Sequence, residues 1–234
     1  MASKPKPKSK PSVEVYLCGW EFELAARAEG WSSIAGVDEV GRGPLFGPVV
    51  AAAVILPPDA DLQGLNDSKK LSAEERERFD AQVRKIALAW AIAEVDAATI
   101  DRINILQASR LAMRIAVSQL SHPPDCLLID GNQRIEWGCI QRTIVKGDAR
   151  SLSIAAASVI AKVHRDRLLA EFDLRFPGYG LARNMGYPTI EHRAALLRLG
   201  ATEMHRRSFR GVCEPDAELE LELSLDFEVA PDDV

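Results

Sequence analysis

Asp38 and Glu39 are adjacent acids at the end of a short apolar approach, and Gly41, Arg42 and Gly43 follow at once. Carboxylate oxygens are hard donors suited to divalent cations. Glycine lacks the Cβ that keeps a main chain away from a bulky ligand, so Gly41 and Gly43 allow backbone groups to touch a substrate directly. Cation and substrate could meet within six residues. The bland alternative is a turn with solvated carboxylates, and the dipeptide alone does not separate the two.

Geometry makes a demand on this pair. Successive side chains of a regular strand point to opposite faces, so Asp38 and Glu39 are expected where a strand ends, bulges or twists. Two other segments repeat the design. CysLeuLeuIleAspGly at 126–131 ends in Asp130, and IleValLysGlyAspAla at 144–149 presents Asp148. A short apolar run that delivers an acid at its C-terminal edge is the pattern of a buried strand exit. Three such exits suggest that four carboxylates converge.

The elements that must carry them are legible in the patterning. Residues 15–29 predict a leading helix, and 34–40, 48–56 and 87–95 predict three successive strands. ProValValAlaAlaAlaValIleLeu is small and apolar throughout, which suits a strand buried on both faces. Ser72 with Glu75 forms a capping box that opens a helix through about Leu88. Residues 98–120 place Ile103, Leu106, Leu111, Ile115 and Val117 on a broadly apolar helix. A strand ending at Asp130 and another near 140–146 precede an alanine-rich helix from Ser153. Alanine favours helix and lets it approach a sheet closely. Strands first, then alternating strands and helices, predict an α/β fold with a mixed β-sheet flanked by helices.

The chain has 234 residues, 47% of them hydrophobic, enough for one large domain or two small ones. No apolar run approaches the roughly 18 residues of a membrane span, and no apolar segment follows the N-terminal lysines, so a cytoplasmic protein with no membrane partner is expected. Cys18, Cys126, Cys139 and Cys213 show no CxxC spacing, and His122, His164, His192 and His205 show no paired metal spacing. Neither a zinc cage nor a disulfide framework is indicated, and the histidines read as surface or structural. The net charge of −5 belongs to the ends: residues 1–12 hold Lys4, Lys6, Lys8 and Lys10 without an acid, 214–234 hold nine acids without a base, and the remainder has 25 of each. A nucleic-acid surface must then come from how charges are placed. The expected organisation is a disordered basic tail at 1–12, a catalytic domain at 13–213 and a flexible acidic tail at 214–234, whose alternation at 218–227 would also suit an edge strand.

The chain resembles the bacterial ribonuclease HII, or type 2 ribonuclease H, family. The resemblance is carried by GlyValAspGluValGlyArgGlyProLeuPheGlyProVal from 36, LeuAsnAspSerLysLysLeu from 65, AsnIleLeuGlnAlaSer from 104 and LeuIleAspGly from 128. ValLysGlyAspAla from 145, SerIleAlaAlaAlaSerValIleAlaLysValHisArgAsp from 153, MetGlyTyrProThr from 185 and HisArgArgSerPhe from 205 continue it in family order. One position departs: Asn184 precedes Met185 where a His–Lys pair is usual, which touches a peripheral phosphate contact.

The resemblance implies a ribonuclease H-like fold with a small helical C-terminal extension from about residue 175. It also implies an endonuclease that hydrolyses the RNA strand of RNA/DNA hybrids and cuts 5′ of single ribonucleotides in duplex DNA, leaving 3′-hydroxyl and 5′-phosphate by two-metal-ion catalysis. Asp38, Glu39, Asp130 and Asp148 would hold two Mg²⁺ or Mn²⁺ ions. The main chain of Gly41, Arg42 and Gly43 would read the ribose 2′-hydroxyl, and Tyr187 would pack on the adjoining deoxyribose. Lys69, Lys146, Lys162 and Arg165 would grip phosphates, although any one could instead neutralise a ligand carboxylate; Asp166 reads as a salt-bridge partner. LeuSerLeuAspPhe at 223–227 resembles peptides that dock on the replication sliding clamp. A monomer is expected. The alternatives are another ribonuclease H-like metal nuclease, such as a junction resolvase, and a catalytically silent hybrid-binding protein.

Overall fold

The computed structural model describes residues 18–213; the basic arm, the acidic tail and its LeuSerLeuAspPhe segment lie outside the described residues. In chain order the elements are α1 (Glu21–Ala28), β1 (Ile34–Val40), β2 (Val49–Ile55), α2 (Ala73–Ile86), β3 (Ala89–Val95), α3 (Ala97–Ser118), β4 (Cys126–Asp130), β5 (Ile140–Ile144), α4 (Leu152–Arg175), α5 (Leu181–Asn184) and α6 (Ile190–Leu199). One sheet runs in the order β3-β2-β1-β4-β5. The first three strands form an antiparallel meander, and β4 and β5 lie parallel to β1. The sheet is therefore mixed, and helices cover both faces.

The two faces are sorted by the strand alternation. Ala35, Val37, Ala51 and Ala53 pack with Ala108, Ala112 and Ala116 of α3. Val50, Ala52 and Val54 pack with Ala155, Ala156 and Val159 of α4 and with Phe79 and Val83 of α2. Every residue of β2 is buried, as an all-apolar central strand requires. Ser72 and Glu75 form the reciprocal capping box at the start of α2.

Small residues bring α4 onto β1. A Cβ added to Gly36 would lie 2.0 Å from the carbonyl carbon of Ser153 and 2.4 Å from the nitrogen of Ile154, so main chain meets main chain there. Buried Glu23 adds a second tether: it accepts from the Ser151 hydroxyl (2.7 Å) and the Ser153 N–H (2.9 Å), tying α1 to the start of α4.

Two expectations need correction. Of the leading helix expected at 15–29, residues 15–17 lie outside the described residues; within them the helix begins at Glu21, because the backbone of Gly19 is already bonded to Arg150 and Leu152. Helix α3 is interrupted at Asn104, with φ 66° and ψ 163°, whose side-chain oxygen accepts from the N–H groups of Leu106 and Gln107 and so caps a fresh start. Its buried face is Ile100, Ala108, Ala112, Met113, Ala116 and Val117. Ile103, Leu111 and Ile115 are only partly buried, and Leu106 is exposed. Alanines face the sheet because the helix sits close to it, and the larger aliphatics are left at the margins.

Beyond α4, α5 and α6 gather around Phe46, Leu169, Tyr179 and Leu181 in a separate small core. This is the expected helical extension, and it packs on the loop that follows Gly43. No helix of the described residues is long and apolar enough to cross a membrane.

Replacing Gly36 by alanine forces β1 and α4 apart where neither backbone can yield easily. Overpacking of this kind is expected to cost about 3 kcal/mol, the upper part of the usual range. Urea denaturation of Gly36→Ala checks it; a midpoint matching the parent's would contradict the close approach.

Candidate active site

Asp38 and Glu39 lie two and one residues before the end of β1, in regular register with Ala52 and Ala51 of β2. No bulge rotates them. They point to opposite faces, Asp38 with Gly36 toward α4 and Glu39 with Val37 toward α3. What joins them is the end of the neighbouring strand: pairing of β1 with β4 stops at Val37 and Ile129, so both faces open onto one edge. Glu39 and Asp130 line a small cavity there with Ser109, Met113 and Asn132, about 70 Å³ in volume.

Asp130 ends β4, and its Oδ1 accepts the Gly147 N–H at 2.7 Å. Asp148 is not on a strand. It sits in a single 3-10 turn, Gly147–Ala149, entered through Lys146 in the left-handed conformation (φ 58°). The bond from Gly147 to Asp130 thus holds the turn carrying Asp148 against the end of β4.

The electrostatics tie the four acids together. The Asp38 carboxyl is pushed well above the usual range by burial, then by Glu39, Asp130 and Asp148, against a hydrogen bond from Ser158. Burial also raises Glu39, with Asp130 adding and Arg42 opposing. Burial raises Asp148, with Asp130 and Asp67 adding and Lys69 opposing. Burial disfavours the Lys69 charge, but Asp148, Asp67, Asp38 and Asp130 outweigh it and hold the ammonium above its ordinary value. The site is a negative field in need of positive charge.

Protein cations supply part of it. Arg42 reaches Glu39 at 3.1 Å, and Lys69 reaches Asp148 at 3.6 Å. Among the described residues no three His, Cys, Asp or Glu side chains stand in ligating geometry for an ion. Arg42, Lys69, the Ser158 hydroxyl and main-chain N–H groups offset part of the charge of the four carboxylates. The donor set nevertheless fits a hard divalent ion: oxygen only, several charges, and no soft ligand.

Next to the acids, Gly41 has φ +85°, and a Cβ on it would lie 2.2 Å from Nε of Arg165, so both conformation and space demand glycine. Arg42 and Gly43 are exposed. Tyr187 is 44% exposed, and its ring lies 3.5 Å from where a Gly43 Cβ would stand. The tyrosine does not close a core. It flanks the glycine loop, and the Leu45 N–H donates to the Gly186 carbonyl at 2.7 Å to keep the two segments together.

The basic residues divide. Arg165, expected to grip phosphate, is 1% exposed and donates to the carbonyls of Pro48 (3.3 Å), Met185 (3.0 Å) and Phe46 (3.1 Å). That expectation is corrected: a guanidinium spent on buried carbonyls braces the loop from below. Lys162 bonds Asp166 one helical turn on, at 2.5 Å, and Arg76 stands 3.9 Å from the same acid. Asp166 is therefore a salt-bridge partner, as its helical position predicts. Asn184 is buried and structural, donating to the Tyr179 carbonyl and accepting from the Gly186 N–H. Arg206 was given no role from sequence, yet it is fully buried under the glycine loop. Its place in a matching segment was the only available signal.

A family model described as Ribonuclease HII matches residues 35–212. The ribonuclease HII of Geobacter metallireducens is 54% identical over 195 residues, covering 83% of this chain and 92% of that relative. Among solved structures, the Archaeoglobus fulgidus ribonuclease HII in its complex with PCNA superposes with a TM-score of 0.65 at 24% identity, covering 80% of this chain and 99% of that one. Bst-RNase HIII in complex with Mn²⁺ gives 0.60 at 20%, covering 95% and 77%. The two structures support the fold.

A carboxyl whose folded pKa is raised binds its proton more tightly in the folded state than unfolded, where Asp ionises near about 3.9. Stability of the metal-free protein is therefore lost as pH rises from that value through the folded pKa of Asp38. Asp38→Asn removes the penalty. The metal-free variant is expected to melt above the parent at pH 7 to 8, with the gap closing in acid. Thermal midpoints of both proteins across pH check this; a variant that melts below its parent at pH 7 contradicts it.

Proposed function

The chain belongs to the ribonuclease HII family, and on that premise we propose that Asp38, Glu39, Asp130 and Asp148 hold its divalent cations over the scissile phosphate. The protein is a ribonuclease H, a metal-dependent endoribonuclease that acts on RNA/DNA hybrids. The observation that carries the ligand assignment is the meeting of the acids at the β1–β4 edge, where Glu39 and Asp130 line one cavity and Asp130 holds the turn of Asp148 through Gly147. When bound, the cations neutralise the phosphate and supply a nucleophile at neutral pH. The oxygen-only set favours Mg²⁺ or Mn²⁺, and the Mn²⁺ complex of Bst-RNase HIII supports the latter.

The chain's own residues contribute orientation. Arg42 and Gly43 are exposed residues beside Glu39, and their backbone N–H groups would be the donors to a 2′-hydroxyl, the group that distinguishes ribose from deoxyribose. Tyr187 presents an accessible ring next to them for the neighbouring sugar. The substrate reading is thus a single ribonucleotide embedded in duplex DNA, cut on its 5′ side to leave 3′-hydroxyl and 5′-phosphate. Lys69 and Lys146 border Asp148 and suit phosphate contacts, which set register rather than sequence. A cytoplasmic monomer, one catalytic domain between two tails, is the corresponding organisation. The Archaeoglobus relative solved with PCNA supports a clamp contact, for which residues 223–227 are the candidate peptide by sequence.

Cleavage of an end-labelled duplex with one ribonucleotide, under Mg²⁺ or Mn²⁺, is expected to map to the 5′ side of that nucleotide, while a four-way junction stays intact. Junction cutting would favour a resolvase. Tyr187→Ala should keep the fold and lose roughly tenfold to hundredfold in rate on that duplex, the scale of about 1–3 kcal/mol for losing an aromatic platform; parental rates would remove the tyrosine from the site. For the tail, removing residues 218–234 should abolish recovery of sliding clamp in a pull-down, and equal recovery ends that assignment.

A further inference from the structure

The glycine loop and Tyr187 are held by one segment remote from both in sequence. Met204 to Arg206 runs antiparallel to Leu45 to Gly47: the Gly47 N–H donates to the Met204 carbonyl (2.9 Å), the Arg206 N–H donates to the Leu45 carbonyl (2.8 Å), and Phe46 bridges His205. From there the Arg206 side chain turns under the loop. Its Nη2 donates to the Gly41 carbonyl (2.6 Å), Nη1 to those of Arg42 (3.0 Å) and Pro44 (2.8 Å), and Nε to that of Gly47 (2.9 Å). One guanidinium gathers four carbonyls.

The direction of those carbonyls has a consequence. In a trans peptide C=O and N–H point opposite ways, and the described residues contain no cis bond. Drawing the Gly41 and Arg42 carbonyls inward to Arg206 turns the N–H groups of Arg42 and Gly43 away from it, on the exposed side.

His205 performs the matching task for Tyr187. The Thr202 N–H donates to His205 Nδ1 (3.0 Å), His205 Nε2 lies 3.2 Å from His192 Nε2, and His192 Nδ1 lies 2.9 Å from the Tyr187 carbonyl. A carbonyl only accepts, so His192 donates from Nδ1 and receives from His205 at Nε2. Both rings are then neutral, consistent with burial pushing His205 down to about 3 and lowering His192.

We infer that Arg206 is the positioning residue of the sugar-reading site: it aims the Arg42 and Gly43 N–H groups at the 2′-hydroxyl and, through adjoining His205, fixes their spacing from Tyr187. This rests on the assignment of that loop to the ribose. Lysine cannot take the role, because its donors radiate from one nitrogen whereas guanidinium donors span a rigid plane wide enough for carbonyls from Gly41 to Gly47. Burial, then Arg165, lowers Arg206 to about 9, so the group remains charged at neutral pH and its bonds to carbonyl dipoles are charge-assisted.

The test uses the full chain with Asp38→Asn, so that duplexes survive binding, alone and combined with Arg206→Lys or Arg206→Gln. Affinity is measured for a duplex with one ribonucleotide and for its all-DNA counterpart, with circular dichroism and melting to verify folding. The parent is expected to prefer the ribonucleotide duplex. Arg206→Lys should lose about tenfold or more of that preference, as displacement of a positioning group implies, while all-DNA affinity changes little. A parent without preference would sink the sugar-reading assignment itself. A preference that persists in folded Arg206→Lys, an equal weakening toward both duplexes, or unfolding of both variants would each overturn the inference about Arg206 alone.

Discussion

Four carboxylates share one electrostatic field at the end of a sheet, and the chain must fold against their repulsion. Each element near the site either brings an acid in or offsets its charge. Strand β1 supplies two acids from opposite faces, β4 ends in the third, and a 3-10 turn tied to Asp130 through Gly147 supplies the fourth. Arg42 and Lys69 neutralise part of the charge, and the Ser158 hydroxyl of α4 favours the charged form of Asp38. The tight seating of α4 on Gly36 is what makes such crowding tolerable, because packed backbone cannot drift apart to relieve it. Stability is spent where function needs a poised charge, a common pattern at catalytic sites.

Much of this was legible in local sequence. The acid that ends β4, the all-apolar β2, the Ser72 capping box and the alanine run of α4 each express a local rule, and the structure follows it; Asp148 instead sits in a 3-10 turn beyond β5. The break at Asn104 was not legible, because an asparagine within a helical pattern ordinarily marks nothing more than weak propensity. Which face of α3 is buried was not legible for a related reason. Bulky aliphatics suggest the core side, but a helix lying close to the sheet presents alanine there.

Arginine is where local reasoning fails most plainly. Arg165 reads in sequence as a charge seeking phosphate and Arg206 carries no distinct signal, yet both are buried and donate to carbonyls that for the most part lie more than a hundred residues away. No periodicity encodes such partners. Their positions beneath Gly41 explain why the loop can be glycine-rich and still fixed: the rigidity that side chains would give is supplied from below by two guanidinium planes. The C-terminal extension is accordingly part of the catalytic domain's working surface, since it contributes Tyr187, His205 and Arg206 to a loop that begins at the end of β1.

The central claim is that these four acids, dispersed over 111 residues of sequence from Asp38 to Asp148, hold cations as one set. Anomalous diffraction from Mn²⁺ in crystals of the protein with a ribonucleotide-containing duplex tests it most directly. The account requires manganese peaks at the edge formed by β1 and β4, with oxygens of Asp38, Glu39, Asp130 and Asp148 all in contact. Peaks elsewhere, or a bound cluster that leaves Asp130 or Asp148 out of contact, would contradict it.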